Sequence, residues 1–537
     1  MEDLPADRPS SPADALDRLT GLGPRGGLWA ILAGLALSFL AVGYFAVYWR
    51  HADMDFMVVY NALLLNDGRP QQFFDHPAYL TILSVEGWFS LLHRLGALQA
   101  WTLSAIPPAR DASAFDAAMT SAVRAARLVS FATALALVLA FAWLAGRLLR
   151  DRRVALLATF AFAFSGGIAV HLRILRSELL AAGFTLVALL LLIDVARRPS
   201  TLRPLWIALA AALAVLGLEN KVHAVVLIAA LPPLLLPFGT AGSAPLWQRP
   251  AGWLAAALAL LAAAAAVGLA LPLLRLGLDP AAMAGAGLKP LFGRPGVVQA
   301  ALLLWLAAGM IAHGLLWRRA PAEIVAALAA AAGGAALALT ALDIVPAATN
   351  AVVVLNPLEK MLSYVDPAGA SATGGGPGAV LLLLADGLRL VLMRLSFVLY
   401  SSPRPTVFLT WLILPGLVVA WRRGERQVAL QAAMLLGAAI AIDTLGVRRG
   451  LKSEYFILTD PLIILSGALL LDRMTDLGRL RYAYPVGVTL MALHVTISQA
   501  EPVRHALKQS GREEVCAWNA AYLPLLPLPW CPLPPPA

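Results

Sequence analysis

The chain has 537 residues, of which 60% are hydrophobic and only 13% charged, with a mean hydropathy of +0.77. A soluble domain needs roughly 25% charged residues to cover its surface, so the composition excludes an ordinary soluble protein and implies a surface facing lipid. The net charge of +10 does not point to nucleic acid, because the arginines sit in short turns between apolar runs and form neither a patch nor a stripe.

Residues 1–26 are polar and Pro-rich and lack the short apolar core and cleavage site of a secretory leader. They are expected to form a disordered cytoplasmic N-terminus, with the first apolar run retained as a span. Apolar runs follow near 27–49, 121–149, 153–172, 177–196, 203–217, 222–238, 251–273, 297–317, 321–344, 405–421, 427–446, 454–471 and 481–498. Runs of about 20 residues cross a bilayer core as helices, because backbone polar groups in lipid must pair within the segment. The short alternating segments of a β-barrel are absent. The expected fold is therefore all-α: a polytopic transmembrane bundle over 27–498, with about thirteen spans by that length criterion.

Alternate connections carry Arg147, Arg150, Arg152 and Arg153; Arg197, Arg198 and Arg203; Arg318 and Arg319; Arg422, Arg423 and Arg426; and Arg473, Arg479 and Arg481. By the positive-inside rule these are cytoplasmic, which places the N-terminus inside and residues 50–120 outside. The stretch 379–401 is apolar but holds Asp386, Arg389 and Arg394. If it crossed, the WRRGER turn would fall outside, so it is expected to lie at the outer interface or to dip into the bundle. It belongs to a second outer loop, 345–404, which also contains LNPLEKMLSY and the flexible run ATGGGPG. The Pro-rich tail 499–537 is then outside, in an oxidising compartment, where Cys516 and Cys531 either pair as a disulfide or stay as thiols.

The first outer loop is dense in groups that membranes exclude. Asp53 and Asp55 directly follow the first span, at the boundary between water and lipid. Two carboxylates one residue apart can hold a divalent metal or a sugar hydroxyl, or one can act as general base; the bland alternative is a solvated loop start. FMVVYNALLL and the segment after FFDHPAYL are expected to form two interfacial helices over the bilayer, bringing His76 and Glu86 near the acids.

Outer span ends add Arg173, Arg176 and Glu178 beside His171; Lys221 beside Glu219 and His223; and Arg448, Arg449, Lys452 and Tyr455 beside Glu454, while Lys360 lies in the second outer loop. A charge at membrane depth costs a few kcal/mol on insertion scales and often marks a substrate path. For any single residue a salt-bridged helix end explains it equally well. Several basic clusters at the same membrane boundary suit an anionic headgroup such as a phosphate.

This layout resembles the GT-C glycosyltransferases, which use polyprenyl-phosphate sugars as donors, and most resembles the branch of protein O-mannosyltransferases and lipid A aminoarabinose transferases. The matching features are the acid after the first span, the helix-G-x-P element in ALLLNDGRP, the HPAYL turn, the helix AVRAARLVSFATALAL with Arg127 in its Arg-Leu-x-Ser position, and KSEYFILTDPLIIL. Departures are Asp53-Met54-Asp55 where the family has Asp-Glu, and Lys-Ser-Glu-Tyr in place of an Arg-centred late element. No large soluble C-terminal segment is seen, so an oligosaccharyltransferase-type protein acceptor site is not expected.

The resemblance implies an inverting sugar transferase in a bacterial inner (plasma) membrane. Asp53 or Asp55 would be its base, the basic groups would bind a lipid phosphate, and the acceptor would be a glycan, lipid or protein. Two other classes compete. A transporter or lipid-linked-glycan flippase would place charges near mid-span, and a polysaccharide polymerase or ligase would place its large outer loop late in the chain.

Overall fold

A computed structural model describes residues 24–72, 78–198, 202–240, 295–343, 377–396, 404–446, 453–474, 482–507 and 511–532, with isolated positions between 257 and 268. The side chains of Ala52, Asp53 and Glu219 lie outside the described set. Among the described residues there is no strand, and the chain is an all-helical integral membrane protein.

Helix α1 (Pro24–Phe39) runs into a π-helical turn, Leu40–Tyr44. A second π-helical turn, Ala52–Phe56, leads into α2 (Met57–Asn66), and α3 (Tyr79–Arg94) follows. Helix α4 (Ala112–Leu148) has 37 residues, about 55 Å at 1.5 Å per residue, nearly twice what a bilayer core needs. Then come α5 (Arg152–Ala163), α6 (Gly166–His171), α7 (Glu178–Arg197), α8 (Arg203–Asn220) and α9 (Ala224–Leu235). The later half consists of α10 (Pro295–Leu316), α11 (Pro321–Asp343), α12 (Pro377–Ser396), α13 (Val407–Arg422) and α14 (Arg426–Gly446). A 3-10 turn, Ser453–Leu458, introduces α15 (Asp460–Met474), and α16 (Ala483–Ser498), α17 (Ala500–Leu507) and α18 (Arg512–Tyr522) complete the described helices.

Helices thus fall on the apolar runs, apart from 251–273, most of which lies outside the described residues. Five described helices are long and apolar enough to cross a membrane: Arg25–Tyr44, Ala112–Leu148, Glu178–Arg197, Pro321–Ala341 and Arg426–Gly446. Two runs are not single helices. The run 153–172 breaks at Phe164 and Ser165 between α5 and α6, and 454–471 begins as a 3-10 turn.

Two apolar cores explain the excess length of α4. Its later part, through Val138, Phe141 and Ala145, packs in the bundle core with Leu35, Phe39, Phe162, Leu186 and Leu465. Its first part, through Phe115, Met119, Val123 and Ala126, packs in an outer core with α2, α3 and the C-terminal segment. The sequence places α2 at the interface, but its residues Met57 to Leu64 are all buried. The reason is local: MVVYNALLL offers no polar face, and a helix apolar all round is stable only when enclosed. Asn61 within it is satisfied, donating to the Met57 carbonyl at 2.7 Å and accepting from the Gln72 amide at 2.9 Å.

Helix α3 is fixed to the bundle by Asn220 at the end of α8. The Asn220 side-chain oxygen accepts from the Thr81 amide and hydroxyl, both at 3.0 Å, and its carbonyl accepts from the Ala78 amide at 3.0 Å. The tail beyond 499 is helical over α17 and α18, and a disulfide joins Cys516 to Cys531.

Candidate active site

The two π-helical turns follow one another at the C-terminal end of the first span, and Arg127 of α4 fixes them together. Its guanidinium donates to the carbonyls of Ala46 at 2.6 Å, Val47 at 3.2 Å and Gly43 at 3.4 Å. It also grips one oxygen of Asp55, with Nη2 at 2.6 Å and Nε at 2.8 Å. The other Asp55 oxygen accepts the Leu175 amide at 2.8 Å. Both side chains of the pair are fully buried. Burial pushes the Asp55 carboxyl up, while Arg127 and the Leu175 amide pull it back toward the ionised form.

Leu175 lies between Arg173 and Arg176, so Asp55 ties the acidic turn to the basic segment that joins α6 to α7. In that segment Arg176 pairs with Glu178 at 3.4 Å and with Glu454 of the 3-10 turn at 3.2 Å. Lys221 pairs with Glu178 at 2.9 Å, and His171 approaches Glu178 at 4.0 Å while its Nδ1 contacts the Gly167 carbonyl at 2.7 Å. Tyr455 stacks on His223 with ring centroids 5.2 Å apart. Among the described side chains two acids therefore face two permanent cations.

Arg173 differs. It is 3% exposed and donates from Nη2 to the Ser38 hydroxyl at 2.6 Å and to the Gln499 side chain at 3.4 Å. Its Nε and Nη1 have no hydrogen-bond partner, and no described carboxylate pairs with it. Burial pulls its pKa down to about 10. A buried guanidinium of this kind is the one described group in the cluster whose chemistry calls for an anion.

Asp55, Arg127, Arg173, Arg176, Glu178, Lys221 and Tyr455 are thus brought together at one end of the bundle. Glu86 is half-buried on α3, with burial pushing its carboxyl up, and none of the contacts within this cluster involves it. His76, Lys360, Arg448, Arg449 and Lys452 lie outside the described residues, as does the Asp53 side chain. Ser38, Gln499 and the Leu175 amide carry no sequence signal of a site: a serine in an apolar helix and a glutamine at a helix end are ordinary, and a backbone amide is invisible to motif reading.

A metal does not suit Asp55. Its oxygens face a guanidinium and an amide N–H, donors that suit a carboxylate and repel a cation. Among the described residues no group of three or more His, Cys, Asp or Glu side chains is arranged to hold a metal ion.

The 3-10 turn that delivers Glu454 and Tyr455 is seated against Gly167 of α6. A Cβ at Gly167 would come within 2.6 Å of both the amide nitrogen and the Cα of Ile457, so backbone would have to move. Gly167→Ala is expected to lower stability by about 1–3 kcal/mol and to pull Glu454 off Arg176. Thermal unfolding in detergent measures the first effect, and an unchanged melting temperature would show that the turn is not seated this tightly.

No protein-family model matches the chain, and no curated protein matches it. Among solved structures it is similar to the archaeal oligosaccharyltransferase AglB from Archaeoglobus fulgidus in complex with an inhibitory peptide and a dolichol-phosphate, at 12% identity and a TM-score of 0.40. That likeness covers 95% of this chain and 61% of AglB, so the chain spans less than two thirds of the AglB length.

Proposed function

We propose that the protein is a membrane glycosyltransferase that moves a sugar from a polyprenyl-phosphate donor to an acceptor hydroxyl on the outer face of the membrane, with inversion. The observation that carries this reading is the Asp55 carboxylate bridging Arg127 and the Leu175 amide. It fastens the acid-bearing turn to a segment holding Arg173, a buried cation that no described carboxylate pairs with.

With Asp55 engaged by Arg127, the base falls to Asp53. The acceptor O–H passes its proton to the Asp53 carboxylate as the oxygen attacks the anomeric carbon. The bond from that carbon to the phosphate oxygen breaks, and its electron pair leaves with the polyprenyl phosphate. Arg173 compensates the charge on the leaving phosphate. Arg448, Arg449 and Lys452, which precede the 3-10 turn in sequence, are assigned to the same phosphate with Lys360, and His76 and Glu86 to orienting the acceptor. The Cys516–Cys531 disulfide, in a segment packed on the first loop, supports an oxidising compartment for both, with the N-terminus cytoplasmic.

The test is transfer by purified protein in vesicles containing a polyprenyl-phosphate sugar labelled in the sugar, with glycan, lipid and protein acceptors supplied in turn. Labelled covalent product is expected. Movement of the intact labelled lipid between leaflets with no product would replace this reading with a flippase.

Arg173→Met gives a second check, because the signs for stability and binding are opposite. The folded-state pKa lies below the ordinary arginine value, so the charged form opposes folding at neutral pH, and the penalty fades only as pH rises through about 10. Removing the charge should raise stability by up to about 3 kcal/mol. The same change should abolish the rise in melting temperature that added polyprenyl phosphate gives the parent protein. A variant less stable than the parent, or still stabilised by the lipid, removes Arg173 from the phosphate site.

A further inference from the structure

The segment after α16 returns to the acidic turn and covers it. Val515, Leu523, Leu526 and Leu528 are buried in the outer core with Phe56, Met57 and Val58, the residues that directly follow Asp55. The Trp530 ring lies 6.0 Å from Tyr48 and 6.0 Å from Trp49, and Tyr48 in turn lies 5.5 Å from Phe56. The Leu525 amide donates to the Tyr60 hydroxyl at 3.4 Å, and Arg512 sits 5.8 Å over the Trp530 ring. Rings therefore line both sides of the acidic turn, and Trp530 is supplied from the far end of the sequence.

Beyond those buried leucines and the Leu525–Tyr60 hydrogen bond, the stretch has few backbone hydrogen bonds among the described residues. Pro524, Pro527, Pro529 and Pro532 have no amide hydrogen to donate, and among the described residues no helix or strand follows Tyr522. One internal tie is the Asn519 side chain, which donates to the Leu526 carbonyl at 2.8 Å. The covalent tie is the disulfide, which links Cys516 on α18 to Cys531, the residue next to Trp530, with Cα atoms 5.4 Å apart. Cutting that tie removes the covalent link between the Trp530 neighbourhood and α18.

We propose that residues 511–532 form a disulfide-fastened clasp over the acidic turn, with Trp530 as a positioning residue and the Cys516–Cys531 bond as a redox-sensitive catch. A dithiol reductant opens the catch. The protein disulfide takes two electrons and two protons to give two thiols, and the reductant becomes a cyclic disulfide. Trp530 then leaves Tyr48 and Trp49, and the turn carrying Asp53 and Asp55 loosens. The effect on sugar transfer rests on the function proposed above; the opening of the clasp does not.

The two are separated by measuring backbone hydrogen exchange and transfer on the same full-length protein, before and after dithiothreitol and thiol alkylation. Reduction is expected to speed exchange at least tenfold over 52–60 and 511–532. The double variant Cys516→Ser with Cys531→Ser should show the fast exchange without reductant and no further response to it. Unchanged exchange over 52–60 in fully reduced protein overturns the clasp. Where transfer is measurable, kcat should fall at least tenfold on reduction while KM for the donor stays within twofold. Trp530→Ala should reproduce that split and Trp530→Phe should restore kcat, whereas full kcat in the reduced protein overturns the positioning role. Absence of product from the oxidised and reduced protein alike counts against the transferase reading and leaves the exchange result to decide the clasp.

Discussion

Asp55→Asn is expected to destabilise the protein by about 3–5 kcal/mol, because it leaves the Arg127 guanidinium buried without its counter-charge. The pair is fully buried, so solvent cannot take over the lost interaction. Asn keeps the shape and can still accept the Leu175 amide, which isolates the charge as the cause. Arg127→Leu should be nearly as costly, since it strands the Asp55 carboxylate and releases the carbonyls of Ala46 and Val47. Combining Asp55→Asn with Arg127→Leu should recover part of the loss, because neither buried charge then lacks a partner. The recovery stays incomplete, since the chain between the two π-helical turns has lost its donor. Thermal or denaturant unfolding in detergent of the two single variants and the double variant closes the cycle. Losses that simply add would mean that the ion pair is not the coupling element.

Most of the helical framework was legible in the sequence because one property, a long apolar run, dictates it in lipid. The runs at 121–149, 177–196 and 427–446 became α4, α7 and α14 with ends shifted by a few residues, except that α4 starts at Ala112. That extension was hidden because its first turns bury only one face, through Phe115 and Met119, against other protein and need no continuous apolar sequence. The break at Ser165 was hidden for a related reason: FAFSGGIAV reads as one apolar stretch, and the turn serves the fit of Gly167 against Ile457.

The described part of the cluster was legible as residue types that meet at one end of the bundle, not as a set of pairs. Arg173, Arg176 and Lys221 look equivalent in sequence. In the structure Arg176 and Lys221 share Glu178, whereas among the described side chains Arg173 bonds to Ser38 and Gln499 and to no carboxylate. That difference depends on which helix ends meet, and periodicity does not encode it. The covering of the acidic turn by Trp530 is similarly non-local, joining positions more than 470 residues apart through packing that no spacing rule anticipates.

The two acids of the first loop should therefore fail in different ways when each is neutralised. Asp53→Asn is expected to lower kcat for transfer by about 10² to 10⁴, the typical worth of a positioned general base. It leaves the Asp55–Arg127 pair intact, so the melting temperature should stay close to that of the parent, unlike that of Asp55→Asn. Asn can still hydrogen-bond an acceptor hydroxyl but cannot take its proton, so donor KM should change little while the acid limb of the pH–rate profile disappears. Transfer kinetics and unfolding measured on the same preparation give two coordinates for each variant. Loss of rate with retained stability at Asp53, and loss of both at Asp55, assigns proton removal to the first and support of the turn to the second. Full activity in Asp53→Asn would move the base elsewhere, because no rearrangement of an amide can substitute for a carboxylate as proton acceptor at neutral pH.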